Sequence, residues 1–174
     1  ERAGSFILKD HSPVHCSMGQ DGVELLSIKT ALAKYGDLAE YWWKAVHPGT
    51  DKYTAQAALA LDDGYFIRVR AGVKAALPVQ ACLFIGAEGL SQNIHNVVIA
   101  EAGSELHIIT GCTTAPDLHR GLHVGVSEFY VQKGATVTST MLHNWGDEIV
   151  VRPRTSVIVE EGATFMSNYV CLKS

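Results

Sequence analysis

Three segments of one design punctuate the second half of the chain: Ala100-Glu101-Ala102-Gly103-Ser104, Val131-Gln132-Lys133-Gly134-Ala135-Thr136 and Val159-Glu160-Glu161-Gly162-Ala163-Thr164. Apolar alternation precedes and follows each, and their glycines stand 31 and 28 residues apart. A turn-forming glycine recurring at such a period predicts a solenoid, in which each coil buries its inward residues on the next. The unequal steps fit a β-helix with loops of variable length. A jelly roll also supplies many short strands, but nothing in it demands a recurring corner. The runs YFIRVR, QACLFI, IHNVVIA, ELHIIT, LHVGVSEFYV, TVTSTML, TSVIVE and TFMSNYVCL are short and separated by Gly, Asp and Asn. Residues 64–174 therefore read as all-β.

Residues 1–63 follow another period. From Asp21, DGVELLSIKTALAKY sets Leu25, Leu26, Ile28 and Leu32 on a helical stripe, residues 37–46 extend it after Gly36, and His47-Pro48-Gly49 ends it. Residues 52–61, KYTAQAALAL, predict a further short helix. The predicted organisation is an N-terminal segment, 1–63, with two to three short helices, ahead of a β-helix core, 64–174. That core is expected to be incomplete at its C-terminal end, because the sequence stops two residues after its last strand.

A chain of 174 residues, 47% hydrophobic and 18% charged, can bury one sizeable core but not two large ones, and disorder is excluded. Its net charge of -4 offers no basic field for nucleic acid; the tightest basic group, Arg68, Arg70 and Lys74, reads as the solvated side of a strand. No apolar run approaches the roughly 20 residues that cross a bilayer, and no leader pattern opens the chain. The first residue is Glu rather than Met, which points to an upstream segment outside this sequence. Cys16, Cys82, Cys112 and Cys171 make neither a dense disulfide framework nor a Cys-x-x-Cys pair, so free thiols in a reducing compartment are expected. Cys82 and Cys171, inside apolar runs, read as buried small hydrophobes.

Eight histidines bring metal binding into question. His11, His15 and Cys16 form a local trio, but no second pair completes four ligands and no His-x-His strand occurs, so no metal site is predicted. Polysaccharide cleavage on a β-helix needs two flanking carboxylates; Asp117, Glu128, Asp147 and Glu148 are candidates without a paired spacing, and the corner acids Glu101, Glu160 and Glu161 read as solubilising. No G-x-S-x-G elbow occurs. The most suggestive segment is Ile108-Ile109-Thr110-Gly111-Cys112-Thr113-Thr114-Ala115-Pro116. It places a thiol near a strand end, where it is expected to be accessible, with His107, His119 or His123 in reach to lower its pKa.

At this segment the chain resembles the SufB/SufD family of the SUF iron–sulfur cluster assembly machinery. The likeness is carried by VVIAEAGSELHIITGCTTAP, LHVGVSEFYVQKGATVTSTMLHNW and VEEGATFMSNYVCLKS, and upstream by LLSIKTALAKYGDLAEYWWKAV and DKYTAQAALALDDGYFIRV. It covers residues 6–174. Any one of these motifs alone is weak, whereas their order in one register is specific.

The resemblance implies a right-handed parallel β-helix and a non-enzymatic scaffold subunit on which a transient iron–sulfur cluster is built, in the cytoplasm. It also implies three partners: a SufC-like ABC-type ATPase, a SufB/SufD-like subunit in a homo- or heterodimer, and a sulfur donor protein. No Walker A string occurs, so ATP chemistry falls to the ATPase. By position, Cys112 matches the family cysteine linked to sulfur entry, with Thr110 in place of the usual Glu. His143-Asn144-Trp145 matches a Gln-Asn-Trp of a proposed sulfur channel, and Arg152 or Arg154 falls at a basic channel position. The family's main cluster site lies beyond residue 174, so no cluster is expected on these residues alone. The alternatives are a structural SufD-type partner without its own cluster and a carbohydrate-active β-helix enzyme.

Overall fold

The computed structural model describes residues 1–173. The chain runs through β1 (Gly4–Lys9), β2 (Ser12–Met18), β3 (Val23–Ser27), α1 (Ile28–Lys34), a 3-10 turn (Gly36–Glu40), α2 (Lys52–Leu59), β4 (Tyr65–Val69), β5 (Val79–Ile85), β6 (Leu90–Ala100), β7 (Glu105–Thr114), β8 (Gly121–Val131), β9 (Thr136–Asn144), β10 (Ile149–Val159) and β11 (Thr164–Lys173). Two sheets form, ordered β11-β9-β7-β5-β1-β2 and β10-β8-β6-β4-β3. From β4 onward successive strands alternate between the sheets, and neighbours within each sheet are parallel. The result is the expected parallel β-helix, about three turns long.

The glycine corners make this stacking regular. Gly103, Gly134 and Gly162 all have φ of 68°, and each sits in a turn closed by one bond: Ser104 N–H to the Glu101 carbonyl, Ala135 N–H to Gln132, Ala163 N–H to Glu160. A positive φ at the third turn residue is what a type II turn requires and what glycine supplies without a Cβ penalty. The corners are also bonded to one another, from Gly103 N–H to the Lys133 carbonyl and from Gly134 N–H to Glu161. A fourth corner escaped the sequence reading: Gly72, with φ of 71°, donates to the Ala102 carbonyl.

The N-terminal segment departs from its sequence reading. The helix expected from Asp21 begins only at Ile28, where the Ser27 hydroxyl accepts the Thr30 N–H. Residues Val23–Ser27 are instead a strand antiparallel to β4, with Leu25 opposite Ile67, and β1 joins the other sheet parallel to β5. Pairing with strands some 40 to 75 residues away overrides the local helical spacing, because it buries Val23 and Leu25 in the core. Residues 37–46 hold the short 3-10 turn rather than a continued helix. The second expected helix is present as α2, opened by an Asp51–Thr54 capping box.

The helices cover the outer face of the five-stranded sheet, and one carboxylate ties them to it. Glu128, fully buried on β8, accepts the backbone N–H groups of Trp43, Ala45 and Val46 at 2.9, 2.6 and 2.8 Å. It also bonds His95 Nε2 at 2.8 Å and the Tyr130 hydroxyl at 3.2 Å. Trp43 takes a left-handed φ of 58° within this loop, and Trp42 stacks on the His95 ring at 4.0 Å. Burial alone would raise the Glu128 pKa, but the bonds from His95 and the backbone outweigh it and hold the carboxyl below its usual range. Burial also lowers the His95 pKa against the pull of Glu128, so the pair is a carboxylate and a neutral imidazole.

The corners give a test of the fold. A Cβ on Gly134 would meet nothing within 4 Å, so Gly134→Ala should cost about 1 kcal/mol through backbone conformation alone. Gly111→Ala, where φ is not positive and the nearest atom is the Ala81 carbonyl oxygen at 3.9 Å, should be neutral or mildly stabilising. Urea midpoints of the two variants check this contrast.

Candidate functional site

Parallel register turns single inward side chains into columns. Along β7, Leu106, Ile108, Thr110 and Cys112 are buried, while the residues between them are only partly so. The pairing sets Leu83, Cys112, His143 and Cys171 side by side on β5, β7, β9 and β11. It also aligns Thr110, Met141 and Tyr169. The opposite sheet contributes the rows Gln92, His123, Val151 and Asn96, Ser127, Thr155.

Between the sheets, an interior otherwise filled by Leu, Ile, Val and Phe carries a polar strip. His123 Nδ1 bonds Gln92 Oε1 at 2.9 Å, Asn96 Nδ2 donates to Ser127 Oγ at 3.2 Å, and the Tyr65 hydroxyl meets Thr110 Oγ1 at 3.2 Å. Cys112 Sγ lies 3.8 Å from Met141 Sδ, and His143 Nδ1 lies 2.9 Å from the Tyr169 hydroxyl. Gly125 makes room for this strip, since a Cβ there would sit 2.9 Å from His123 Nε2. Beside Cys112 is a cavity of about 20 Å³ lined also by His123, Ser127, Met141, His143 and Pro153. That space holds one water-sized occupant. His143 and Pro153 line a second cavity as well, of about 220 Å³, together with Trp145, Tyr169 and Cys171.

Burial controls the electrostatics here. It pushes the Cys112 thiol well above its ordinary pKa, with the nearby Cys82 thiol adding to the shift. It drives His123 down to about 3, helped by the charge of His143, and it lowers His143 too. At neutral pH the strip therefore holds a protonated thiol and two neutral imidazoles.

The cysteines correct the sequence reading. Cys112, expected to be accessible with a lowered pKa, is buried because β7 runs on to Thr114 and the strand alternation turns Cys112 inward. Cys82 and Cys171, expected to be buried, are half-exposed and exposed: Cys82 is in phase with Gly111 on the outer side, and β11 has no strand on its far side among the described residues.

Of the three histidines expected beside Cys112, only His123 reaches the interior. His107, an odd number of residues away, bonds Thr140 on the outer face, and the loop residue His119 gives its backbone N–H to Glu88. Trp145 is buried, with its ring 4.8 Å from His123 and 5.8 Å from His143.

Arg152 does not join them. Val151 and Pro153 take the inward positions of β10, so the Arg152 guanidinium lies outside over the Tyr53 ring, at 5.4 Å, and Arg154 pairs with Asp51. The N-terminal trio goes to separate partners: His11 to Asp62, His15 to Ser5, Cys16 to the Leu25 carbonyl. No group of three or more His, Cys, Asp or Glu suited to a metal ion occurs among the described residues. Glu128, a candidate for sugar chemistry, is consumed by the helical cap.

Sequence reasoning missed Gln92, Met141 and Tyr169. The signal was available, because the 31- and 28-residue steps between corner glycines also lead from Cys112 to His143 to Cys171 and from Gln92 to His123.

A parallel β-helix with a thiol–imidazole strip inside it defines the class of protein, and comparison with known sequences narrows it. Residues 83–174 match the family model described as SUF system FeS cluster assembly, SufBD core domain; the chain belongs to that family. It is 50% identical over 174 residues to an iron–sulfur cluster assembly SufBD family protein of Methanothermobacter thermautotrophicus strain Delta H, covering 98% of this chain and 42% of the relative. A SufBD family protein of Archaeoglobus fulgidus is 45% identical over 172 residues, covering 99% of this chain and 46% of its own length. SufB of Bacillus subtilis is 29% identical over 167 residues, covering 93% and 36%. The chain thus spans less than half the length of these relatives.

Two expectations follow from the burial. Maleimide labelling of the native protein at pH 7 should modify Cys16 and Cys171 first, Cys82 later, and Cys112 slowest of the four; mass spectrometry of time points reads the order. Since the folded His123 pKa lies below its ordinary value of about 6.5, stability is full above that pH and falls as pH drops toward about 3. The loss from this group reaches about 2 kcal/mol by pH 5. Denaturation of His123→Gln at pH 7 and pH 5 should show a smaller pH-dependent loss than the wild type.

Proposed function

We propose that this chain is the sulfur-accepting part of a SufB/SufD-like scaffold, with Cys112 as the acceptor. The observation that carries this reading is a thiol placed inside the solenoid beside a cavity of about 20 Å³, large enough for one sulfur atom and too small for a cluster. In the step proposed, the Cys112 sulfur attacks the outer sulfur of a donor persulfide. The new S–S bond forms on Cys112, the donor's S–S bond breaks, and the donor leaves as a thiol, with no net oxidation. Because burial raises the Cys112 pKa, the reaction needs a base. His143, its register neighbour, is held neutral and can take the proton.

The cluster is cargo in this reading, completed with a second SufB/SufD-like subunit and powered by a SufC-like ATPase in the cytoplasm, the chain itself being a scaffold rather than an enzyme. Arg152, on the outer face, is left out of the path, while Trp145 stays in it. A structural SufD-type role is the second reading, favoured by the burial of the same thiol.

The test is to treat the intact natural protein and its Cys112→Ser variant with a persulfide donor and then reconstitute both anaerobically with iron. The expected result is one added sulfur on Cys112 by mass spectrometry and at least a tenfold fall in cluster yield, read by absorption and iron content, in Cys112→Ser. Equal yields in both proteins would establish the structural role instead.

A further inference from the structure

We propose that the interior of the solenoid holds a site for one soft monovalent cation, Cu(I), bound by the Cys112 thiolate, the Met141 thioether and the His123 imidazole. The three side chains come from β7, β9 and β8 and line the cavity of about 20 Å³ between the sheets, which has room for a single atom-sized occupant. The inference goes beyond sulfur acceptance by Cys112 and does not depend on it, since the donor atoms are the same either way.

Two independent observations carry it. The first is the sulfur pair: Cys112 Sγ and Met141 Sδ lie 3.8 Å apart. Two metal–sulfur bonds of about 2.3 Å span at most about 4.6 Å, so one ion bridges this separation at an S–metal–S angle of about 110°. The second is the bare nitrogen of His123, a residue only 3% exposed. The buried Gln92 amide donates to the Asp10 and Phe84 carbonyls at 2.6 and 3.2 Å, which leaves its Oε1 to accept the His123 Nδ1–H at 2.9 Å. That bond fixes the tautomer with a lone pair on Nε2, which has no hydrogen-bond partner among the described residues. An imidazole held through its other nitrogen by an oxygen acceptor is oriented as metal-binding imidazoles are.

The donors select the ion. Thiolate and thioether sulfur favour Cu(I), whereas structural zinc takes four ligands from Cys, His and carboxylates. A thioether stands in the third place here, so the site is not one of the His, Cys, Asp and Glu clusters that the described residues lack. Charge agrees with this choice. One thiolate and one monovalent cation sum to zero, which suits a cavity also walled by Leu83 and Ile94, while a divalent ion would leave a net charge buried there. On binding, the metal–sulfur bond to Cys112 forms, the S–H bond breaks and the proton leaves to solvent. Nothing is oxidised or reduced. An occupied site has no free thiol, so copper would block the sulfur acceptance proposed above.

The test equilibrates the intact natural protein, with every cysteine but Cys112 replaced by Ser, anaerobically with Cu(I) in competition with a chromogenic Cu(I) chelator. Should that variant fail to fold, the natural protein with its accessible thiols alkylated takes its place. The expected result is one ion retained per chain, with X-ray absorption showing two sulfur neighbours at about 2.3 Å and one nitrogen at about 2.0 Å. Met141→Leu, a volume-conserving swap, and His123→Gln should each weaken retention by about tenfold or more, the effect that loss of an outer partner alone produces. No retained ion, a single sulfur neighbour, or retention unchanged in Met141→Leu would overturn the proposal. Copper retained by a protein that never takes up persulfide sulfur would uphold this site and remove the reading of Cys112 as an acceptor.

Discussion

In-register parallel pairing between successive coils is the constraint on which the rest of this structure depends. Each strand from β8 onward lies beside its predecessor in the sheet with a fixed offset, 31 residues for β8 and β9 and 28 for β10 and β11. A side chain that points inward on one coil is thereby placed against a defined side chain on the next. The left-handed glycines at the corners hold that offset, because a slip of one residue would move every inward side chain to the outside. Cys112, His143 and Cys171 meet for this reason, and not through any local motif.

The same alternation lets one strand serve two purposes. On β8, His123, Gly125 and Ser127 face the polar interior, while Glu128 and Tyr130 face outward into the helical cap. Glu128 is costly to bury, and it is balanced by five hydrogen bonds that fix the loop around Trp43 and Val46. The cap in turn shields the outer face of the five-stranded sheet, where Phe66, Val97 and Ile99 would otherwise meet water. Among the described residues the six-stranded sheet has no such cover, and Cys82 is partly exposed there, one sheet thickness from the buried Cys112.

Much of this was legible in the sequence. The glycine corners and the β runs between them point to a solenoid on their own, and the Ala-rich run 52–61 points to the helix α2. What failed were readings that depended on partners distant in sequence. Val23–Ser27 has helical spacing locally and becomes a strand because Ile67 and Val69 wait opposite it. The exposure of the thiols was inverted because the apolar character of a run does not say which of its residues faces in. Arg152 misses the interior by a single residue of strand phase, since Val151 and Pro153 take it. Register arithmetic from the corners would have recovered all of the thiol column and most of the polar strip.

The central claim is that sulfur is received inside the solenoid and not on its surface. Long-wavelength anomalous diffraction from crystals of the intact natural protein, loaded with a persulfide donor and compared with untreated crystals, tests it most directly. The account expects a new sulfur peak about 2 Å from Cys112 Sγ, within the interior cavity shared with His123 and His143. New peaks on Cys16 or Cys82 alone, with Cys112 unchanged, would contradict it.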